Sequence, residues 1–315
     1  MIAAGIDLGG TKIEAQVFDL DWNRVDFRRI ATPKTYEALV DSMVSQIEWV
    51  DRFGVGIPIG IAAAGLINPS TGLALTANLP ATGRPFPADI GAAAGRGITY
   101  VNDCRAQALS EAVFGAARGY RSALSLNLGT GLAGGIVVDG RLLPGPTGLG
   151  GEFGHFALPA NVVVARNLPI LRCGCGRLGC METLIAAPGL TRIYSHLTGR
   201  IAEPEEIVLH RATDPDAAQT WALWCELTAE LIHTLTLTVD AECIVLSGGL
   251  SRAPNLIAHL DAALVKTALP GYAPPVIRLA EGGDATGARG AAYVAHVEHI
   301  AQTHLATLKK ESQHD

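Results

Sequence analysis

The stretch 150–183 holds a set of side chains suited to one piece of chemistry. Cys173, Cys175 and Cys180 lie within eight residues and alternate with Gly174, Gly176 and Gly179. Those glycines allow the backbone to turn tightly enough for three sulfurs to reach one ion. His155, in Gly150-Gly151-Glu152-Phe153-Gly154-His155, supplies a fourth donor. Three thiolates and an imidazole complete a closed tetrahedral zinc site, which leaves no position for a reactive water. Buried thiols beside an unrelated surface histidine would be the plain alternative, but thiols spaced by glycines do not read as packed core. Glu152 and Glu182 bracket this knot and are left free to bind something else.

Two glycine turns form a second set. Asp7-Leu8-Gly9-Gly10-Thr11-Lys12 is followed by Ile13, Ala15 and Val17 alternating with polar residues, so strand follows strand. A nucleotide P-loop or a dinucleotide fingerprint would lead from its glycines into a helix, and this stretch has neither that spacing nor that helix. Backbone amides of such a turn can still cradle phosphate with the Thr11 hydroxyl, while Asp7 at the strand end could hold hydrated magnesium. The design recurs. The apolar strand ending at Leu128 enters Gly129-Thr130-Gly131, and a strand resumes from Leu132 to an Asp139-Gly140 turn. A third turn, Ser247-Gly248-Gly249, follows the strand 243–246 and leads towards a helix near Asn255, where a nucleoside could lie against backbone. Asp103 closes Thr99-Tyr100-Val101-Asn102-Asp103 just before a helical pattern, and on local sequence it is either a helix cap or a general base.

The positioning elements follow from periodicity. Ala38, Leu39, Met43, Ile47 and Val50 mark one buried face of a helix. Val55, Ile57, Ile59 and Ile61 predict a buried strand that delivers Gly65 and the Asn68-Pro69 turn, with Asn78 on the loop beyond; both read locally as surface loops. Leu231, Leu235 and Val239 predict a helix before the third turn.

Composition narrows the class. The chain has 315 residues, 49% hydrophobic, with a formal net charge of −6. It is long enough for two domains. Cys104, Cys225 and Cys243 are scattered in apolar or helical surroundings, which fits a reducing compartment rather than a disulfide framework. Met1-Ile2-Ala3-Ala4-Gly5-Ile6-Asp7 has no basic segment and meets an acid early, so a cytoplasmic protein is expected. The run 53–83 carries no charge, but Pro58, Pro69, Pro80, Asn68 and Asn78 break it, and no membrane segment is expected. The acidic balance argues against nucleic acid as the main partner, and only Arg166, Arg172 and Arg177 are basic near the knot, which disfavours a nucleic-acid module.

Taken together, Asp7 to Lys12, Val101-Asn102-Asp103, Leu128 to Gly131, Gly151 to His155, Cys173 to Glu182 and Ser247-Gly248-Gly249 resemble the ROK family of repressors and sugar kinases. The likeness runs from about residue 4 to about residue 295, with the motifs in family order. The spacer from His155 to Cys173, the loop 77–86 and the run 282–290, expected to wall the nucleoside site before the last helix, are most like members that phosphorylate N-acetylglucosamine. The resemblance implies an actin-like (ribonuclease H-like) α/β sugar kinase fold of two domains around a cleft: 1–105 plus a C-terminal helix of about 291–315, and 106–290. It makes Asp103 the general base for the sugar 6-hydroxyl, and Asn102, Glu152, His155 and Glu182 partners of ring hydroxyls. Gly65 and Asn78 fall near the 2- and 3-substituents. Asp7, Gly9, Gly10, Thr11, Lys12, Gly129, Thr130, Gly131, Gly248 and Gly249 are the implied ATP and magnesium site, and the zinc on His155, Cys173, Cys175 and Cys180 is structural.

The implied reaction is ATP-dependent phosphorylation of N-acetyl-D-glucosamine by a homodimer. Kinases for N-acetylmannosamine, glucose or fructose are the alternatives, then a sugar-sensing regulator without kinase activity. The first strand begins almost at Met1 and leaves no room before it for a helix-turn-helix, which disfavours the regulator. Two positions depart from the family pattern. Asn102-Asp103-Cys104-Arg105 stands where Asn-Asp-Ala-Asn is frequent, and Gly60-Ile61-Ala62-Ala63-Ala64-Gly65 where Gly-Ile-Pro-Gly is frequent. The first bears on hydrogen bonding around the base and the second on the N-acetyl side of the pocket.

Overall fold

The computed structural model describes residues 1–76, 78–283 and 286–311, with side chains to residue 305. The chain divides into two compact units, each α/β. Met1–Ser110, Leu142–Leu149 and the residues from Gly282 onward make the first, while Glu111–Arg141 and Gly150–Glu281 make the second.

In the first unit, β1 (Ala3–Leu8) and β2 (Lys12–Phe18) form the antiparallel hairpin that alternation predicts, and β3 (Arg24–Ala31) extends it. Strand β4 (Ile59–Ala63) runs parallel to β1, β5 (Leu66–Ile67) and β6 (Ala74–Leu75) pair as a small hairpin, and β7 (Thr99–Asn102) runs parallel to β4. The sheet order is β3-β2-β1-β4-β7. Helix α1 (Tyr36–Asp51) buries Leu39, Met43, Ile47 and Val50 as its stripe requires; α2 (Phe86–Ala94) and α3 (Asp103–Phe114) follow. One expectation fails at Val55, which is 94% exposed. Gly54 and Gly56 both take positive φ, and Pro58 cannot donate to a ladder, so the strand starts at Ile59.

A C-terminal helix, Thr286–Glu311, lies across β1 and β4 at unusually short range. A Cβ placed on Gly5 would fall within 1.7 Å of the Ala288 carbonyl oxygen, and one on Gly60 within 2.0 Å of that of Ala291. Ala288, Ala291 and Ala292 are fully buried there. Only hydrogen at 5 and 60 allows this contact. The residues from Thr286 to Gly290, expected to precede the last helix and wall the nucleoside site, form the helix's first turn in the first unit. Asp284 and Ala285 of that run, and Ala77 of the loop 77–86, lie outside the described residues.

The second unit repeats the plan. Strands β8 (Ser122–Leu128) and β9 (Leu132–Val138) are an antiparallel hairpin, β9 turns through Asp139 and Gly140 at positive φ into β10 (Arg141–Leu142), and β11 (Cys243–Ser247) and β12 (Val276–Leu279) add parallel strands beside β8. The order β9-β8-β11-β12 matches β2-β1-β4-β7. Helices α4 (Ala160–Arg166), α5 (Glu182–Ile185), α6 (Ala187–Thr198), α7 (Pro204–His210), α8 (Pro215–Val239) and α9 (Leu256–Thr267) enclose a core in which Trp221 stacks on the fully buried Trp224. Among the described residues no helix is long and apolar enough to cross a membrane.

Candidate active site

In the first unit the turn between β1 and β2 is closed by one amide, with Gly9 N–H donating to the Lys12 carbonyl at 3.0 Å. Among the described residues the amides of Gly10 and Thr11 have no protein acceptor, as a phosphate cradle requires. Thr32 holds the turn from behind, its hydroxyl on the Gly9 carbonyl (2.7 Å) and its N–H on that of Thr11 (3.0 Å). Sequence reading missed Thr32. Only the pairing of Lys12 with Ala31 brings it there, and no local pattern announces that register. Asn78 stands against the same turn, where a Cβ on Gly10 would lie 3.1 Å from the Asn78 Cβ.

Asp7 ends near the first turn of the C-terminal helix, where a Cβ on Gly287 would lie 3.2 Å from its Oδ2. Burial, and then the negative charge of Asp103, push Asp7 up to about 7; Lys12 opposes them. Burial likewise raises Asp103, opposed by the Cys104 N–H that its Oδ1 accepts at 2.9 Å. Two buried acids that disfavour each other's charge suit a divalent cation with its waters.

The side chain that makes the capping bond at the start of α3 is that of Asn102. Its Oδ1 accepts the Arg105 N–H at 3.2 Å, the bond of an N-cap to the third helical residue, and its Nδ2 donates to the Gly65 carbonyl at 3.2 Å. Asn102 therefore caps α3. Gly65, at φ +112°, passes so close to Leu75 and Thr76 that a Cβ would lie 2.4 Å from the Leu75 carbonyl oxygen.

In the second unit Gly129 N–H closes the second turn on the Gly131 carbonyl (3.2 Å), and the amides of Thr130 and Gly131 have no acceptor among the described residues. Gly248, at φ +85°, lies on this turn, where a Cβ would come within 2.7 Å of the Gly129 nitrogen; Gly249 follows it. The knot stands alongside. Gly134 N–H donates to the Gly151 carbonyl (2.8 Å), and a Cβ at Gly154 would lie 2.3 Å from the Leu132 carbonyl oxygen, so the 3₁₀ turn Phe153–His155 rests directly on β9.

The donor atoms of His155, Cys173, Cys175 and Cys180 all lie within 4.8 Å of one another. Cys175 Sγ and Cys180 Sγ are 3.7 Å apart, and Cys173 Sγ is 3.7 Å from His155 Nδ1. Zinc–sulfur bonds of about 2.3 Å at tetrahedral angles span about 3.8 Å between sulfurs, so the set fits that ion. His155 Nε2 points the other way, 3.8 Å from Glu152 Oε2. Nδ1 is then the metal-side nitrogen, and Nε2 is left for a ligand. Burial pushes the Cys173 thiol up to about 12, so it needs a neighbouring cation to ionise.

The ROK family description matches residues 3–298. The chain belongs to the ROK family. Similar relatives include the N-acetylgalactosamine kinase AgaK of Shewanella sp. (strain ANA-3), 38% identical over 93% of this chain and 96% of that protein. The N-acetyl-D-glucosamine kinase of Pectobacterium atrosepticum is 37% identical over 91% and 97%. Among solved structures, the ROK hexokinase of Thermus thermophilus superposes with a TM-score of 0.84 at 32% identity, covering 96% of this chain and all of that one. A ROK glucokinase of Streptomyces griseus, solved with glucose and AMPPNP, gives 0.72 at 25%, over 93% and 99%.

Against the ROK pattern, Arg105 is the informative departure. Its guanidinium is bound to the segment 143–148, Nη1 on the Gly148 carbonyl (3.1 Å) and Nη2 on that of Leu143 (3.2 Å). Asp103 keeps the raised affinity for a proton that burial gives it. Among the sequence-expected residues of this ROK chain, the first unit thus carries Asp7, Gly9, Gly10, Thr11, Lys12, Gly65, Asn78, Asn102 and Asp103. The second carries Gly129, Thr130, Gly131, Glu152, His155, Glu182, Gly248, Gly249 and the three thiols.

Proposed function

We propose that this ROK protein transfers the γ-phosphoryl group of ATP to the 6-hydroxyl of an N-acetylated hexosamine, N-acetyl-D-glucosamine first. The observation that carries the reading is the division of labour at the start of α3: Asn102 caps the helix and Asp103, beside it, is a buried carboxylate with raised proton affinity. Such a group is suited to take the hydroxyl proton as the oxygen attacks phosphorus. The free amides of Gly10, Thr11, Thr130 and Gly131 would hold phosphate oxygens and stabilise charge in the transition state. Asp7 would hold magnesium, which supplies charge neutralisation when bound. Zinc on His155 and the three thiols would fix the imidazole so that Nε2, with Glu152 and Glu182, meets sugar hydroxyls. With all four positions filled it supplies architecture and no nucleophile. Gly65 and Asn78 would face the 2- and 3-substituents.

A second reading is favoured by one of the relatives: N-acetylgalactosamine, the C4 epimer, which the sequence reading did not weigh. Coupled ADP release by zinc-loaded protein, over N-acetylglucosamine, N-acetylgalactosamine, N-acetylmannosamine, glucose and fructose, separates these. Highest kcat/KM on N-acetylglucosamine is expected, and no turnover with any of the five sinks the kinase reading. Action in the cytoplasm as a homodimer belongs to the same reading, and sedimentation tests the assembly.

A further inference from the structure

Glu182 occupies a place that a sugar ligand alone would not need. Its Oε2 accepts the N–H of Leu132, the residue after the second glycine turn, at 3.0 Å. A Cβ on Gly131 would lie 3.2 Å from the same oxygen, so the carboxylate lies against the turn itself. Five residues on, Ala187 N–H donates to the Gly129 carbonyl at 2.8 Å and grips the other end of the turn. On its other side Glu182 meets the knot. Oε1 is 3.5 Å from Cys173 Sγ, and Cys180 stands two residues before Glu182 in a stretch fixed by Met181 N–H on Phe156 (2.8 Å) and Thr183 N–H on Cys180 (3.0 Å). No flexible linker lies between the thiols and the turn.

We infer that Glu182 is a positioning residue that ties the thiol–imidazole knot to the second glycine turn, so that metal in the knot and a nucleoside diphosphate or triphosphate at the turn strengthen each other's binding. This rests on the kinase reading for the nucleotide, and on the second unit alone for the tie. One hydrogen bond to a carboxylate held in place corresponds to about tenfold in affinity. Linkage makes the effect reciprocal: whatever factor zinc adds to nucleotide affinity, nucleotide must add to zinc affinity.

The test uses zinc affinity by competition with a chromophoric chelator, with and without saturating ADP, and ADP affinity by calorimetry on zinc-loaded protein. ADP is expected to tighten zinc about tenfold in the wild type and less than about twofold in Glu182→Ala, whose ADP affinity is about tenfold weaker. Peptides covering 129–132 should exchange amide hydrogens faster in that variant. Glu182→Gln keeps an acceptor oxygen and should restore ADP affinity to within about threefold. Equal coupling in wild type and Glu182→Ala, or wild-type ADP affinity in Glu182→Ala, overturns the inference. Should Glu182→Ala fail to fold, the wild type still decides: ADP bound without any change in zinc affinity sinks the tie alone. Zinc-loaded wild type that binds no ADP defeats the kinase reading, and the coupling with it.

Discussion

Replacing Asp103 by Asn keeps the side chain's shape and removes only its capacity to accept a proton. Because Asn102 holds the helix cap, Asp103→Asn should lower kcat by about 10²- to 10⁴-fold with little change in stability or sugar affinity. Stopped-flow turnover with a urea melt checks it; wild-type kcat would remove Asp103 from the chemistry. Asp7 gives a prediction in pH. Its carboxyl titrates near 7 in the fold against an ordinary 3.8, so between those values the folded chain holds a proton that the unfolded chain has lost. Stability that Asp7 permits at low pH is lost as pH rises through the folded value. Relative to Asp7→Asn, magnesium-free wild type should lose about 1.4 kcal/mol per pH unit from about pH 4 to 7, and nothing further above it. Parallel stability curves for the two proteins would show Asp7 ionised without cost. Residue types and spacing picked out the thiols, His155 and Asp7 in advance, whereas Asp103 read locally as a helix cap and only the family resemblance made it a base. The bond from Asn102 Nδ2 to Gly65 and those of Thr32 and Arg105 were not legible, because each depends on a partner 20 or more residues away.

Among elements, the hairpins were readable because alternation and glycine turns are local signals, whereas the start of β4 was misread where apolar residues continue through Gly54 and Gly56. The glycines of β1 and β4 read as ordinary strand residues, yet they set how near the C-terminal helix can come. Gly60→Ala would drive a methyl group into the Ala291 carbonyl and should destabilise by about 3 kcal/mol, as overpacking at backbone does. Gly97, with nothing within 4 Å of its Cβ position, is the control: Gly97→Ala should stay within about 0.5 kcal/mol. Equal urea midpoints for the two variants would mean that helix and sheet separate at no cost.

For the whole molecule, the presence of two similarly built units follows from the repeated turn, but the segment Leu142–Leu149 could not have been assigned to the first unit from sequence. Its place depends on Leu142 packing near Ala62 and Val101 and on the Arg105 guanidinium. The four candidate metal donors all belong to the second unit, so Cys175→Ser should reduce zinc below the one ion per chain expected of the wild type, and strip protection from 150–281 while leaving 1–110. Hydrogen exchange with mass spectrometry reads this directly, and uniform loss over both ranges would contradict it. The sugar KM should rise as His155 loses its fixed orientation. The C-terminal helix also orders events in time. Gly5 is synthesised long before Ala288, which covers it. At ~5–20 residues per second the interval is roughly 15–60 s. During it the second unit can complete itself, while the apolar face of β1 and β4 waits uncovered, a nascent-chain surface on which chaperones would have tens of seconds to act.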